Sequence, residues 1–136
     1  MDKALNYMSL ARKAGLVELG EEPVGAAARA LKARLVAVAS DSGDHTWRRA
    51  KSFVAGTDQV CVRVPYTKDE MGQATGRTSL AIAAFTDPSM ALAFLKALPQ
   101  PPQEAVDALQ TKTQKQKQRQ KEAQAHKKNV RFGKKK

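Results

Sequence analysis

The run Leu35-Val36-Ala37-Val38-Ala39 is apolar throughout and is followed at once by the polar stretch Ser40-Asp41-Ser42-Gly43-Asp44. A short continuous apolar run that ends in turn residues is typical of a strand covered on both faces. Helical spacing resumes from His45 to about Val54, and a helix cap is expected at the end of the polar loop. A strand covered on both faces predicts helices above and below one sheet.

Helices and strands alternate on both sides of this strand. Upstream, we predict a helix at residues 2–14 that stops at Gly15, a strand at 16–19, and a helix that begins at Gly20-Glu21-Glu22-Pro23 and runs to about residue 33. Downstream, we predict strands at 60–64 and 80–85, a capping-box helix from Thr67 to Gly76, and a last helix opened by Asp87-Pro88. The pattern predicts an α/β fold: a three-layer α-β-α sandwich around a roughly four-stranded mixed sheet.

Positive charge is concentrated at the end of the chain. The 136 residues carry a formal net charge of +11, and residues 112–136 hold eleven cations and one acid, whereas residues 1–111 are nearly neutral. The prolines at 99, 101 and 102 cannot continue a helix. We therefore predict a folded domain at residues 1–98, a Pro-rich linker with a short helix at 99–111, and a basic flexible tail at 112–136.

The basic tail favours a polyanionic partner, either nucleic acid or an acidic membrane. As a nucleic-acid-binding arm it would contact phosphate through Lys112, Lys115, Lys117, Arg119, Lys121, Lys127, Lys128 and Arg131. The alternative is a tail that only improves solubility. No apolar run approaches the roughly 20 residues that span a bilayer, and the first residues lack the order of a signal peptide. We expect a cytoplasmic protein with no membrane partner.

The residue types that carry catalysis or bind metals are sparse. Cys61 is the single cysteine, which excludes an intramolecular disulfide. The two histidines lie far apart, and the polar stretch from Asp41 to His45 shows neither a buried orienting acid nor an oxyanion site. We therefore expect no enzymatic activity, no cofactor and no metal. The segment Trp47-Arg48-Arg49-Ala50-Lys51 has two interpretations. It is either a second RNA-binding patch or a solvent-exposed helix face with a packed Trp.

Several segments, taken together and in order, resemble a known family. They are Ala11-Arg12-Lys13-Ala14-Gly15, Gly20-Glu21-Glu22, Leu35-Val36 leading to Ser40-Asp41, and Thr67-Lys68-Asp69-Glu70-Met71-Gly72-Gln73-Ala74-Thr75-Gly76. The combination is similar to the kink-turn-binding ribosomal protein superfamily, the L-seven-Ae/L-thirty-e-like group, and within it to the bacterial YlxQ-type branch. The match covers about residues 4–95. The resemblance implies an α-β-α sandwich that recognises sharply bent RNA and has no enzymatic activity.

The resemblance also implies two places of RNA contact. One is the start of the helix after the first strand, at Gly20, Glu21 and Glu22, where unpaired amides act as donors and carboxylates accept from guanine amino groups. The other is the loop before the last strand, at Arg77, Thr78 and Ser79, with a guanidinium and two hydroxyls. The family pattern has Asn, Glu and Lys where this chain has Glu22, Pro23 and Ala26. The cations expected to compensate in part for the missing Lys are Arg29, Lys32 and Arg34.

The sequence thus predicts a monomeric, non-enzymatic protein that binds structured RNA, with a kink-turn or ribosomal RNA as the candidate target and the ribosome as a candidate partner. The tail would add phosphate contacts. One alternative is a ribosome-associated protein-interaction module whose tail alone binds RNA. Another is a stand-alone relative of the substrate-binding domain of RNA ribose methyltransferases.

Overall fold

The computed structural model describes residues 2–111. Its elements follow in the order α1 (Lys3–Lys13), β1 (Val17–Leu19), α2 (Glu21–Arg29), β2 (Leu35–Val38), α3 (Asp44–Val54), β3 (Val60–Arg63), α4 (Lys68–Thr75), β4 (Ile82–Phe85) and α5 (Pro88–Lys96). Residues 103–111 are also helical and are called α6. The predicted alternation of helices and strands is confirmed, and the basic segment at 112–136 lies outside the described residues.

The four strands form one mixed sheet in the order β1-β4-β2-β3. β2 is parallel to β3 and antiparallel to β4, and β4 is antiparallel to β1. Leu35 of β2 lies opposite Val60 on one side and Phe85 on the other. Every residue of the two central strands, β2 and β4, is buried, as expected for strands covered on both faces. The mixed four-stranded sheet is confirmed.

Helices cover both faces of the sheet. Because successive strand residues point to opposite faces, Leu35 and Ala37 pack into a cluster with residues of α1, α4, α5 and α6. Val36 and Val38 point the other way and pack with residues of α2 and α3. The predicted three-layer α-β-α sandwich is therefore confirmed.

The short helix α6 packs onto the domain. Ala105, Val106 and Leu109 are buried and belong to the same hydrophobic cluster as α1 and α5. Their spacing places them on one face of a helix. The division of the chain at residue 98 stays a prediction, but a chain cut there would lose three residues of the hydrophobic core.

The helix α2 is shorter than predicted, because it ends at Arg29 and not near residue 33. Leu31 has a φ of 59°, in the left-handed region. Its N–H donates to the carbonyl of Ala28, and the N–H of Lys32 donates to the carbonyl of Ala27. This pair of bonds is a Schellman motif, which usually carries glycine at the left-handed position. A leucine there gave no sequence signal that the helix stops.

Candidate nucleic-acid interface

The chain enters α2 through a backbone conformation that favours glycine. Gly20, the residue before the helix, has φ 99° and ψ 162°, a region that side chains with a Cβ rarely adopt. Its N–H donates to the carbonyl of Ile82 at 3.0 Å, which ties the helix start to β4. No side chain caps the helix. The amides of Glu21 and Glu22 therefore have no acceptor within α2 and are oriented out of its first turn.

The loop between α4 and β4, residues 77–79, lies directly against α4. A Cβ atom on Gly72 would be 2.7 Å from the carbonyl oxygen of Arg77 and 2.9 Å from the amide nitrogen of Ser79. Arg77 donates its N–H to the carbonyl of Gly72 at 2.8 Å, and Gly76, which ends α4 as predicted, has a left-handed conformation. Backbone contacts thus fix the loop, while the side chains of its three residues are exposed.

The helix start and this loop meet in space. The Nη1 atom of Arg77 lies 3.8 Å from the position that a Cβ atom on Gly20 would occupy. Two segments far apart in the chain therefore form one surface, here called the Gly20–Arg77 face. It comprises Gly20, Glu21 and Glu22 of the helix start with Arg77, Thr78 and Ser79 of the loop.

Two further arginines contact these segments, one at the helix start and one at the residue before the loop, and neither contact was predicted from the sequence. Arg49 of α3 pairs with Glu21, with 2.6 Å between its Nε atom and the carboxylate Oε1. Both side chains stay about half exposed, at 53% and 43%. The guanidinium carbon of Arg12, in the last turn of α1, lies 3.5 Å from the Cβ position of Gly76. Both contacts join different elements, so only the tertiary structure reveals them.

Two of the expected site residues lie away from this face. Arg29 is the last residue of α2, and nine helical residues separate the helix ends by about 13 Å. Its Nη1 atom lies 3.6 Å from the Cβ position of Gly25. Lys32 follows the Schellman turn beyond the helix end. The cation that balances an acid at the helix start is therefore Arg49, and the structure does not bring Arg29 or Lys32 there.

Two polar side chains of the stretch at 41–45 form hydrogen bonds within the fold. Asp41 accepts a hydrogen bond from the amide of Lys68 at 2.8 Å, so it caps α4. The hydroxyl of Ser42 donates to the carbonyl of Ala39 at 2.7 Å. Asp44, in contrast, is the first residue of α3, and Gly43 holds the cap position without a side-chain bond. The cap expected at the end of this polar loop is therefore Gly43, while Asp41 caps a different helix, α4.

Within residues 2–111, no three His, Cys, Asp or Glu side chains are grouped so that they would hold a metal ion. Burial raises the pKa of the Cys61 thiol to about 11, although nearby Lys51 acts in the opposite direction. That thiol therefore stays protonated and unreactive near neutral pH. In the same part of the chain, no helix has the length and apolar character to cross a membrane.

The fold of this chain is similar to that of solved structures of other proteins. No family model and no curated protein matches the chain. A Bacillus halodurans C protein of unknown function superposes with a TM-score of 0.68 at 22% identity, covering 74% of this chain and 100% of that one. A Giardia lamblia 15.5kD RNA binding protein superposes with a TM-score of 0.60 at 15% identity, covering 79% of this chain and 87% of that one. At these identities the likeness shows a shared fold.

Proposed function

We propose that this protein binds structured RNA through the Gly20–Arg77 face, and that residues 112–136 add phosphate contacts. The contact between Arg77 and Gly20 carries the proposal. It places a guanidinium beside a helix start whose amides are unpaired within the helix. Such amides and a guanidinium are both donors to phosphate oxygens, and the absence of a Cβ on Gly20 lets a backbone approach closely.

The charges on this face suit RNA. Arg49 pairs with Glu21, and the guanidinium of Arg77 lies over Gly20, next to the two acids in the chain. The pairing of Arg49 with Glu21 reduces the repulsion that this acid would exert on a phosphate. The exposed carboxylate of Glu22 is an acceptor for the amino groups of bases. The face therefore combines phosphate contacts, which position RNA, with a group that distinguishes bases.

The shared fold gives independent support for this function. The Giardia lamblia structure with a TM-score of 0.60 is named an RNA binding protein. Together with the sequence resemblance, it favours membership of this chain in the kink-turn-binding superfamily and its YlxQ-type branch. On this proposal the protein is a non-enzymatic, cytoplasmic monomer, and its target is a bent RNA such as a kink-turn, within ribosomal RNA or another structured RNA.

A second candidate function follows from the charge distribution. Residues 1–111 are nearly neutral, whereas residues 112–136 hold eleven cations and one acid. That distribution favours a protein-interaction module on the ribosome that holds RNA through its tail alone. A tail of this kind binds phosphate without preference for RNA shape.

Fluorescence anisotropy with three labelled RNAs of equal length tests the proposal: one with a kink-turn, one straight duplex and one single strand. We expect the full chain to bind the bent RNA most tightly and all binding to weaken as salt rises. The absence of salt-sensitive binding to any of the three contradicts RNA binding. Equal affinity for all three contradicts recognition by the domain and favours the tail-only alternative.

A further inference from the structure

Two cationic side chains contact the ring of Trp47 at the junction of α3 and β3. The Nζ atom of Lys51 lies 5.5 Å from its centroid and the Cζ atom of Arg63 lies 5.0 Å from it. Trp47 is half-buried and packs against the cluster beneath α2 and α3. Because the core fixes the ring, the two cations are held near one place on the surface. Long cationic side chains that are already positioned lose less entropy when they bind a ligand.

The helix α3 presents different cations on its two sides. Trp47 and Lys51 are four positions apart and lie on one side, toward β3, whereas Arg49 lies on the side toward α2, where it meets Glu21. Ala50 faces the core. Arg48, which is exposed, lies opposite Ala50 in the helical projection and therefore points to solvent between the two sides.

Arg63 reaches this side because of the sheet register. It follows Val62, which packs on the α1 side of the sheet, so its own side chain emerges on the side of α2 and α3. β3 is an edge strand of the sheet, and no further strand among residues 2–111 covers Arg63. Residues 44–63 contain four cations, Arg48, Arg49, Lys51 and Arg63, and two acids, Asp44 and Asp58.

We propose that Arg48, Lys51 and Arg63, arranged around Trp47, form a second phosphate-binding surface, here called the Trp47 patch. It extends the Gly20–Arg77 face across the width of α3 to the sheet edge, and its ligand is the sugar-phosphate backbone of the helical stem that flanks the bend. The proposal rests on the RNA-binding function, because it requires the same partner. Its contacts are made to phosphate, so the patch adds affinity without choosing among sequences or shapes.

A matched pair of double variants in the full chain tests this patch. K51Q/R63Q removes two cations from it, while K3Q/K96Q removes two exposed cations from α1 and α5, on the other side of the sheet. We expect K51Q/R63Q to weaken binding of bent and straight duplex RNA by the same factor, about tenfold, and to reduce the slope of log affinity against log salt by about 1.5. The control pair should change both quantities much less.

The two proposals fail in different ways in this experiment. If the wild-type chain binds RNA and the two double variants lose equal affinity, the Trp47 patch is contradicted. The proposal for the Gly20–Arg77 face is then unaffected. A wild-type chain that binds neither RNA overturns both. Melting temperatures of the variants, recorded alongside, show that each is folded before its affinity is compared.

Trp47 provides a second, direct readout because it is the only tryptophan in the chain. We expect bound duplex RNA to shield its fluorescence from acrylamide, since the phosphates would lie over the cations that flank the ring. The shielding should decrease in K51Q/R63Q and persist in K3Q/K96Q. Quenching of the wild-type chain that is the same with and without saturating RNA overturns the proposal.

Discussion

Arg77 packs over Gly20, with its Nη1 atom 3.8 Å from the position that a Cβ atom would occupy. That distance is an ordinary van der Waals contact, so a methyl group would fit in the space. The obstacle to another residue is the backbone, because Gly20 has a φ of 99°. We expect Gly20→Ala to lower the free energy of unfolding by about 1–3 kcal/mol, measured by chemical denaturation.

Gly56→Ala is the control for this variant. Gly56 also has a positive φ, 75°, but a Cβ there would meet nothing within 4 Å. Both substitutions should cost stability, whereas only Gly20→Ala should shift the helix start and weaken binding of bent RNA. Equal RNA affinities of the two variants at a temperature where both are folded would contradict a role for the Gly20 backbone in binding.

Local signals in the sequence were enough to predict much of this fold. The capping box at Thr67 and the helix end at Gly76 both depend on neighbouring residues, and both are present as predicted. The buried strand at Leu35–Val38 follows from its apolar composition. Leu31 shows the limit of such signals, because a left-handed leucine ends α2 where a glycine would have been the expected mark.

The contacts that build the candidate site depend on tertiary structure and were harder to predict. The resemblance pointed to the start of α2 and to the loop at 77–79, but the pairing of Arg49 with Glu21 depends on how α3 packs beside α2. The burial of Leu109 was also missed, since the prolines before α6 indicated a linker. Those prolines interrupt the helix without separating the following residues from the core.

The pair formed by Glu21 and Arg49 should affect binding more than stability. Because both side chains are about half exposed, at 43% and 53%, breaking the pair should change the free energy of unfolding by about 1 kcal/mol or less. We expect Arg49→Gln to weaken RNA binding, since it leaves Glu21 unbalanced next to phosphate. Glu21→Gln in that background should restore part of the affinity.

A double-mutant cycle on RNA affinity measures this coupling. The three chains, Arg49→Gln, Glu21→Gln and the double variant, are compared with wild type at one salt concentration. Strictly additive changes in binding free energy would show that Arg49 does not act by neutralising Glu21.

The stability of the domain should depend on pH through Asp2 and Tyr66. The Tyr66 hydroxyl donates to the Asp2 carboxylate at 2.6 Å and lowers the pKa of Asp2 below its ordinary value of 3.8. A carboxylate with a lowered pKa stabilises the fold above its unfolded pKa, and this contribution is lost as pH falls through the folded pKa. Because Asp2 is exposed and solvent screens its charge, Tyr66→Phe should lower the free energy of unfolding by less than about 1 kcal/mol at neutral pH.

Urea denaturation of wild type and Tyr66→Phe at about pH 7 and at about pH 3 checks this linkage. The difference between the two chains should shrink at the lower pH, because protonation of Asp2 removes the charged acceptor. A difference that is unchanged by acid would show that the ionised form of Asp2 does not contribute to stability.

Two truncations separate the basic tail from the folded unit. A chain ending at residue 111 keeps Leu109 and the rest of the described core, so its stability should match the full chain. A chain ending at residue 98 loses three buried residues and should be less stable by more than about 3 kcal/mol, measured by thermal and chemical denaturation.

The chain that ends at residue 111 also separates the two functional models. We expect residues 1–111 to bind RNA more weakly and with a smaller salt dependence, because eleven cations are missing. The preference for bent over straight RNA should remain. Complete loss of binding would show that the tail makes the only RNA contact.

Recognition of RNA by the Gly20–Arg77 face can be measured as the ratio of affinities for kink-turn RNA and straight duplex RNA. This ratio is compared between Arg77→Gln and Lys96→Gln. Each variant loses one exposed cation, so any general effect of charge is the same. We expect Arg77→Gln to lower this ratio about fivefold or more, while Lys96→Gln leaves it at the wild-type value. An unchanged ratio in Arg77→Gln would contradict the proposal that the Gly20–Arg77 face recognises RNA structure.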